Sequence, residues 1–463
     1  MKVFNTMTRQ KEEFIPVTPG QVRIYSCGPT VYNYFHIGNA RPFILFDTLR
    51  RYLKWRGMDV TFVQNFTDID DKMINRANEE GITVKELADR FIAEYYKDAD
   101  ALGVQRADVA PRATEHIQEI IALIEKLIAN GHAYESEGDV YFSVPSLPGY
   151  GKLCGQNLEE LESGARVDVT EVKRDPLDFA LWKAQKPGEP AWESPWGMGR
   201  PGWHIECSAM SMKYLGETFD IHCGGVDLTF PHHENEIAQS EGATGQPFAR
   251  YWMHNGHINV NNQKMSKSLG NFFTVRDIAK EFDLMAVRLF MLGAHYRSPI
   301  NFSRELIEQA TSALTRIRNA HELLARVQQA DEAQTQQQEA LVAQLPAFKQ
   351  RFIDAMDDDL NTADAMGVIF ELVREANAAF AGGGSAQAAG DVRALLDELL
   401  SVMGIDPVGR QDEIPQEILD MAQQRVAARA EKNWAEADRL RDAIAAAGYL
   451  LEDTKQGPVI KRA

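Results

Sequence analysis

The order of strands and helices is clearest in residues 21–63, which read QVRIYSCGPTVYNYFHIGNARPFILFDTLRRYLKWRGMDVTFV. Residues 21–27 alternate as a strand does, and residues 41–56 place apolar side chains at helical spacing. Gly57 then stands where a helix C-cap belongs, and residues 60–63 read as a second strand. Strand, helix and strand in this order predict a βαβ unit in a parallel sheet.

Two further segments have clear local signals. Thr83, with Glu86 three residues later, predicts a capping box that opens a helix through Tyr96. Residues 132–145 predict a hairpin with its turn at Glu137–Asp139.

The composition is that of a large globular protein. The chain has 463 residues, of which 44% are hydrophobic, so we expect more than one domain. No run of residues reaches the roughly 20 apolar positions of a membrane span, and the N-terminus has no apolar signal core. We therefore predict a cytoplasmic protein that does not associate with membranes.

The formal net charge is −18. An acidic chain is a poor candidate for non-specific binding to nucleic acid, because that binding depends on neutralised phosphates. The net charge does not exclude a specific RNA partner that binds a local basic face. Composition alone favours an enzyme that acts on small molecules.

The pattern of elements divides the chain into a split domain and a helical tail. The fold class that we predict is α/β, with a Rossmann-like doubly wound parallel sheet that is split by an insertion and followed by helices. The predicted boundaries are 1–114 and 201–301 for the two halves of the α/β domain, 115–200 for the insertion, 302–404 for a helical bundle and 405–463 for a small C-terminal module.

A first candidate site lies just before the predicted helix, at His36-Ile37-Gly38-Asn39. A helix N-terminus offers free N–H groups and a partial positive charge, which suit a phosphate. Gly38 lets a ligand approach the backbone, and His36 supplies a hydrogen-bond donor. Taken alone, the motif also fits an ordinary turn.

A second candidate is the loop at 264–268, Lys-Met-Ser-Lys-Ser, which is followed by Leu269-Gly270. Lys264 and Lys267 stand among the small hydroxyl residues Ser266 and Ser268. Such a loop can act as a mobile cationic clamp on a transferring phosphate. The alternative is a solvated surface loop.

A third constellation has the chemistry of a metal site. Cys27 ends the first strand, Cys207 lies in a Trp-His-Ile-Glu-Cys segment, and His232 and Glu236 are four residues apart. Positions i and i+4 share one face of a helix, so His232 and Glu236 can reach one metal ion. Two thiolates, an imidazole and a carboxylate make a plausible zinc shell. The alternative for any one of these cysteines is inert burial.

Together these segments resemble a known family. The 36–39 and 264–268 motifs resemble the two signatures of class I aminoacyl-tRNA synthetases, although Asn39 replaces the usual histidine. The cysteine and histidine segments resemble cysteinyl-tRNA synthetases more specifically. The resemblance covers nearly the whole chain and includes Thr67–Lys72, Asp178–Lys183 and Ser194–Gly197.

The resemblance implies a zinc ion that is held by Cys27, Cys207, His232 and Glu236 and binds the thiol of the substrate L-cysteine. It also implies ATP with Mg²⁺. The resemblance assigns catalysis to His36, Asn39, Lys264 and Lys267, and it extends ATP binding to Gly38, Ser266 and Ser268.

The resemblance also assigns substrate-binding roles to four more residues. Gly28, Thr67 and Trp203 would line the amino-acid pocket, and His204 would touch the adenylate. The alternatives are an N-cap for Thr67 and core packing for Trp203.

Three neighbouring residues are not assigned to the metal site. We expect Cys154 to be buried and inert and His233 to point away from the metal site, and we leave open whether Cys223 approaches it. In the helical tail, Trp434 lies among basic residues and suits stacking with an unpaired base, although packing is the alternative.

The function that the resemblance implies is cysteine–tRNA ligase activity, with tRNA(Cys) as the partner and a monomer as the expected state. A cysteine-activating ligase that transfers to an amino sugar, a catalytically silent RNA-binding relative and a purely structural zinc site are the alternatives.

Overall fold

A computed structural model of the chain describes residues 1–155, 173–264, 273–330, 332–409, 415–454 and 457–462. The described residues form two compact units, residues 1–407 and residues 408–463. Within these ranges, the helices are too short or too polar to cross a membrane.

The strands of the first unit belong to four sheets in the described part of the chain. In chain order they are β1 (Lys2–Asn5), β2 (Gln10–Glu13), β3 (Gln21–Ser26), β4 (Asp59–Gln64), β5 (Ala133–Ser136), β6 (Asp139–Phe142), β7 (Phe179–Ala184), β8 (Gly199–Pro201), β9 (Phe219–Gly225), β10 (Ala249–Asn255), β11 (Ile258–Val260), β12 (Gln263–Lys264) and β13 (Ile300–Phe302).

The helices of the first unit lie between and after these strands. In chain order they are α1 (Ile37–Trp55), α2 (Asp71–Glu80), α3 (Val84–Ala101), α4 (Ile117–Ala129), α5 (Trp203–Leu215), α6 (Glu234–Thr244), α7 (Val275–Ile278), α8 (Leu284–Leu292), α9 (Arg304–Ala330), α10 (Gln336–Asp357), α11 (Thr362–Phe380) and α12 (Ala386–Met403).

The central sheet confirms the predicted βαβ unit. Its described strands have the order β10–β9–β3–β4, and each neighbouring pair is parallel. Helix α1 joins β3 to β4 but begins at Ile37, four residues before the predicted start at 41. The earlier start is stabilised from outside the helix, because the Ile37 N–H donates to the Phe273 carbonyl at 3.1 Å. Since all four strands are parallel, their carboxyl ends share one edge of the sheet.

The insertion carries its own antiparallel sheet, in the order β5–β6–β7–β8. The predicted hairpin is confirmed, since β5 and β6 pair across a turn in which Glu137 has φ 55° and Gly138 has φ 88°. Helix α4, which precedes this sheet, was not predicted. It packs its isoleucine and leucine side chains into the core of the insertion.

Helix α3 begins as the sequence predicts. The Thr83 hydroxyl accepts the Glu86 N–H at 3.1 Å, and the Glu86 carboxylate accepts the Thr83 N–H at 2.8 Å. The helix runs on to Ala101, beyond the predicted end at Tyr96, because its apolar face stays buried as far as Ala99.

A buried carboxylate connects the α/β domain to the helices that follow. Asp47, on α1, lies 2.8 Å from Arg288 and 2.7 Å from Arg51. Arg288 also donates to the Met403 carbonyl at 2.7 Å, so the same charge reaches the end of α12. Burial alone would raise the pKa of Asp47, but the arginine charges lower it below its usual value. The cluster is therefore charged and fully paired.

Removing this carboxylate should destabilise the first unit. We expect Asp47→Asn to lower its free energy of unfolding by about 3–5 kcal/mol, since buried arginines then lose their counter-charge. The exposed pair of Arg351 and Glu371 offers a matched control, and Glu371→Gln should cost about 0–1 kcal/mol. Chemical denaturation of the two variants tests this, and equal losses would contradict it.

The second unit is small and has its own core. It contains α13 (Gln416–Ala430), α14 (Trp434–Ala446), β14 (Tyr449–Thr454) and β15 (Gly457–Arg462), and the two strands pair antiparallel. Ile418, Ala422 and Ile444 form the buried cluster. Trp434 opens α14 with 58% of its surface exposed, which leaves its ring accessible within this unit.

Candidate active site and metal centre

Two of the predicted ligands are cysteines that come from opposite halves of the α/β domain. Cys27 follows the last residue of β3, and Cys207 lies in the first two turns of α5. Their sulfur atoms are 4.0 Å apart, and Cys207 is buried. The parallel sheet therefore brings together two thiols that are far apart in sequence.

His232 and Glu236 complete the predicted set. His232 lies in the turn at Thr229–His233 that leads into α6, and its Nε2 is 3.0 Å from Oε1 of Glu236. The same oxygen lies 3.6 Å from Cys27 Sγ. One ligand atom from each of Cys27, Cys207, His232 and Glu236 lies within 4.8 Å of the other three. Sulfur, nitrogen and carboxylate oxygen donors at this spacing fit a zinc ion.

The electrostatics of the cluster favour a charged carboxylate. Burial would raise the pKa of Glu236, but His222 and His232 lower it to about 2. Oε2 of Glu236 lies 2.8 Å from His222 Nε2, so the second oxygen is also paired. The hydrogen bond from Cys27 lowers the pKa of Cys207 to about 6, whereas burial raises the pKa of Cys27. Glu236 is thus a charged carboxylate among the other donors of the cluster.

The structure contradicts the expected direction of His233. Its Nε2 lies 3.3 Å from Cys27 Sγ, and its Nδ1 lies 2.8 Å from His254 Nε2. Spacing along an ideal helix placed His233 on another face, but the residue belongs to the irregular turn before α6. With His222, it gives a second possible ligand group that shares Cys27 and Glu236. His222 lies in the middle of β9, and no motif in the sequence pointed to it.

The remaining cysteines lie outside the cluster. Cys223 is buried in β9, and its thiol donates to the Tyr25 carbonyl at 3.5 Å. Cys154 is only half-buried, contrary to expectation, and its N–H donates to the Glu234 carboxylate at 2.9 Å. Glu234 also accepts N–H groups from Gly151 and Leu153, so it holds the insertion in place.

The residues assigned to the amino-acid pocket surround the metal cluster. A Cβ at Gly28 would lie 1.6 Å from the Asn65 carbonyl oxygen, so only glycine fits there. The buried hydroxyl of Thr67 lies 3.1 Å from Oε2 of Glu206. Thr67 does not cap α2, because Asp70 accepts the Met73 N–H that an N-cap residue must bind.

Trp203 and His204 both contact His232. The Trp203 ring stacks on the His232 ring with centroids 4.3 Å apart, while 42% of its surface stays exposed. That exposure excludes plain core packing for Trp203. His204 Nδ1 lies 2.8 Å from His232 Nδ1. Both residues therefore line the approach to the cluster.

The first signature motif stands at the start of helix α1. His36 is the N-cap of α1, and Gly38 and Asn39 are in its first turn, which contains no acidic residue. The backbone of His36 pairs with that of Thr274, six residues after the second motif ends at Ser268. The backbone of Lys264 is in β12, but its side chain and Ser266, Lys267 and Ser268 lie outside the described residues.

Known families and proteins match the chain over its whole length. Residues 13–312 match the family model of the tRNA synthetases class I (C) catalytic domain. Residues 351–405 match a DALR domain, and residues 411–457 match the cysteinyl-tRNA ligase anticodon binding domain. The chain is 58% identical to a cysteine–tRNA ligase of Caldicellulosiruptor saccharolyticus over 464 positions, which cover 100% of both chains. The chain belongs to the cysteinyl-tRNA synthetase family.

Solved structures place this cysteinyl-tRNA synthetase family member among the class I folds. Mycobacterium tuberculosis methionyl-tRNA synthetase in complex with methionyl-adenylate superposes with a TM-score of 0.60 at 17% identity, covering 84% of this chain and 92% of that one. Thermus thermophilus arginyl-tRNA synthetase gives a TM-score of 0.56 at 14% identity, covering 87% and 84%. At these identities the likeness concerns the fold, and it confirms the predicted α/β class.

The metal cluster predicts a clear difference between two cysteines. We expect Cys207→Ala to reduce bound zinc from about one ion per chain to near zero, because one of four donors is lost. Cys154→Ala is the matched control and should keep its zinc, since Cys154 lies outside the cluster. Elemental analysis of the purified proteins measures both, and an unchanged zinc content in Cys207→Ala would contradict the assignment.

Proposed function

We propose that the protein is a cysteine–tRNA ligase that selects its amino acid through a zinc ion at Cys27, Cys207, His232 and Glu236. The observation that carries this proposal is the buried sulfur, nitrogen and carboxylate cluster at the carboxyl edge of the parallel sheet, in a chain of the cysteinyl-tRNA synthetase family. Ligands of open α/β sheets bind at this edge.

The donor set suits an ion that must also take a substrate thiol. A zinc ion held by these residues would favour the thiolate of a substrate thiol over a serine hydroxyl, because it accepts sulfur ligands and lowers the pKa of a thiol that binds it. Apolar pockets separate such close analogues poorly. The chain's part is to hold the two thiolates, the imidazole and the carboxylate together, and to wall the pocket with Trp203 against His232.

The ATP phosphates are proposed to bind at the start of α1. His36 donates to a phosphate, while Gly38 and Asn39 present the first backbone N–H groups of the helix. Asn39 keeps a hydrogen-bond donor at the position where the class I signature usually has a histidine. The pairing of His36 with Thr274 supports this proposal, because it brings the chain that follows the second motif next to the first motif.

The second motif is proposed to stabilise the charge of the transferring phosphate. Lys264 and Lys267 supply cations, and Ser266 and Ser268 supply hydroxyl donors. Mg²⁺ accompanies ATP as its counter-ion. Strand β12, which pairs with β11, ends at Lys264, the first residue of this motif.

The reaction has two steps. The cysteine carboxylate attacks the α-phosphate of ATP, and pyrophosphate leaves as cysteinyl-adenylate forms. A ribose hydroxyl at the 3′ end of tRNA(Cys) then takes the cysteinyl group, and AMP leaves. No side chain needs to act as a nucleophile, because the residues position the reactants and stabilise charge. His204, next to His232, is proposed to contact the adenylate.

The tail is proposed to recognise tRNA(Cys). We assign catalysis to 1–114 and 201–301, separated by the insertion at 115–200, and tRNA binding to 302–404 and 405–463. The match of residues 411–457 to an anticodon binding domain supports this division. The exposed ring of Trp434 is proposed to stack on an unpaired base. We expect the protein to be a cytoplasmic monomer.

The alternative functions are less well supported. A ligase that transfers cysteine to an amino sugar has no use for an anticodon binding domain, whereas this chain matches one. A silent RNA-binding relative has no use for four metal donors within 4.8 Å of one another.

Charging assays test the function directly. Zinc-replete protein should transfer radiolabelled cysteine to tRNA(Cys) in the presence of ATP, and Cys207→Ala should abolish that transfer while Cys154→Ala keeps it. Cysteine-dependent pyrophosphate exchange without tRNA charging would instead favour another acceptor. The absence of both activities in the unmodified protein would contradict the proposed ligase function.

The proposed phosphate clamp makes a separate prediction. We expect Lys267→Ala to lower kcat for adenylate formation by about 10²–10³-fold, because a cation is lost from the transition state. Lys280→Ala, which removes an exposed lysine paired with Asp277, is the matched control. Pyrophosphate exchange measures both, and equal rates in the two variants would contradict the role of Lys267.

A further inference from the structure

Two residues that no motif singled out connect the pocket residues to one another. Asn65 follows the end of β4, and Glu206 immediately precedes Cys207 on α5. Asn65 contacts Gly28 and Thr67, and Glu206 contacts Thr67. Both side chains are buried, Glu206 completely. Their polar atoms therefore serve the pocket and not the surface.

The orientation of the Asn65 amide follows from its neighbours. The Gly28 N–H can only donate, and it lies 2.9 Å from Oδ1 of Asn65. Nδ2 of Asn65 must then face the other way, where Thr67 Oγ1 lies within 3.5 Å. An amide nitrogen can only donate, so Thr67 Oγ1 is an acceptor in this contact.

The direction of the Thr67 hydroxyl proton follows in turn. Because Thr67 Oγ1 accepts from Asn65, its own O–H is directed to Oε2 of Glu206, 3.1 Å away. A hydroxyl has one proton and two lone pairs. With one lone pair facing Asn65 and the proton facing Glu206, the second lone pair remains as an acceptor for a ligand.

Glu206 itself carries a second sign of a ligand. Its Oε1 is buried and has no hydrogen-bond partner in the described part of the chain. A buried polar atom without a partner costs free energy, so it marks a place where a donor group of a ligand would be stabilised.

We propose that Glu206 is a positioning residue that, with Asn65, fixes the Thr67 hydroxyl as an acceptor for the α-ammonium group of the substrate. The proposal rests on the proposed function and deepens it. Zinc selects the thiol, and the Glu206–Thr67–Asn65 chain selects the amino group. The site therefore prefers an α-amino acid over a thiol acid that lacks the amino group.

The test uses zinc-loaded, full-length protein and cysteine-dependent pyrophosphate exchange. Glu206→Ala should raise KM for cysteine by about tenfold to a hundredfold, because the Thr67 hydroxyl loses the acceptor that orients it. KM for ATP should not change. Glu206→Gln should restore most of the activity, since an amide oxygen also accepts from Thr67.

A double-mutant cycle separates positioning from a general loss of structure. Thr67→Val should show the same rise in KM for cysteine, and Glu206→Ala combined with Thr67→Val should add little to it, because both changes remove one interaction. Inhibition by 3-mercaptopropionate should be unaffected in every variant, since this compound has the thiol and carboxylate but no ammonium group. Bound zinc should also be unchanged.

The outcomes distinguish the two levels of proposal. Absence of cysteine-dependent exchange in the unmodified protein would overturn the proposed function. With that exchange intact, an unchanged KM for cysteine in Glu206→Ala would overturn the positioning role. Equal weakening of cysteine and 3-mercaptopropionate would also overturn it. If Glu206→Ala does not fold, Glu206→Met fills the volume without an acceptor and takes its place in the same comparison.

Discussion

The carboxylate of Glu236 is fully buried at the carboxyl edge of the parallel sheet, and its burial constrains everything around it. A buried charge is tolerated only when it is paired, and here His222 and His232 each bind one of its oxygens at 2.8 and 3.0 Å. Those partners come from β9 and from the turn before α6. Strand, turn and helix must therefore keep one arrangement, and that arrangement also brings the two thiols of Cys27 and Cys207 to the same carboxylate.

The close approach of two backbone segments has a comparable effect on the pocket. Gly28 and Asn65 follow neighbouring parallel strands and come so near that no side chain fits at position 28. This closeness lets the Asn65 side chain bind the Gly28 N–H and face Thr67. The wall of the pocket and the orientation of its polar groups thus have one cause. The cluster of metal-binding atoms and the hydrogen bonds of Thr67 are two consequences of the way the strands end.

The helical bundle is connected to the α/β domain by different chemistry. Asp47 and its arginines form a charged cluster on α1, on the same helix whose N-terminus carries His36. Helix α1 is therefore fixed near its middle by buried ion pairs, which also hold its N-terminal end in place relative to the helices that follow.

The sequence by itself determined the βαβ unit, the hairpin and the α/β class, because each depends on local periodicity. The four proposed metal ligands were named through the family resemblance, since Cys27 and Cys207 stand 180 positions apart and share no local pattern. Tertiary structure alone decided which other side chains face the four proposed metal ligands. His222 and His233 join them, against the expectation for His233, because an irregular turn replaces ideal helical spacing. Glu206 and Thr67 meet although 139 positions separate them in the chain. Such pairs have no sequence pattern, since only the packing of α5 across the strand ends brings their atoms within hydrogen-bond distance.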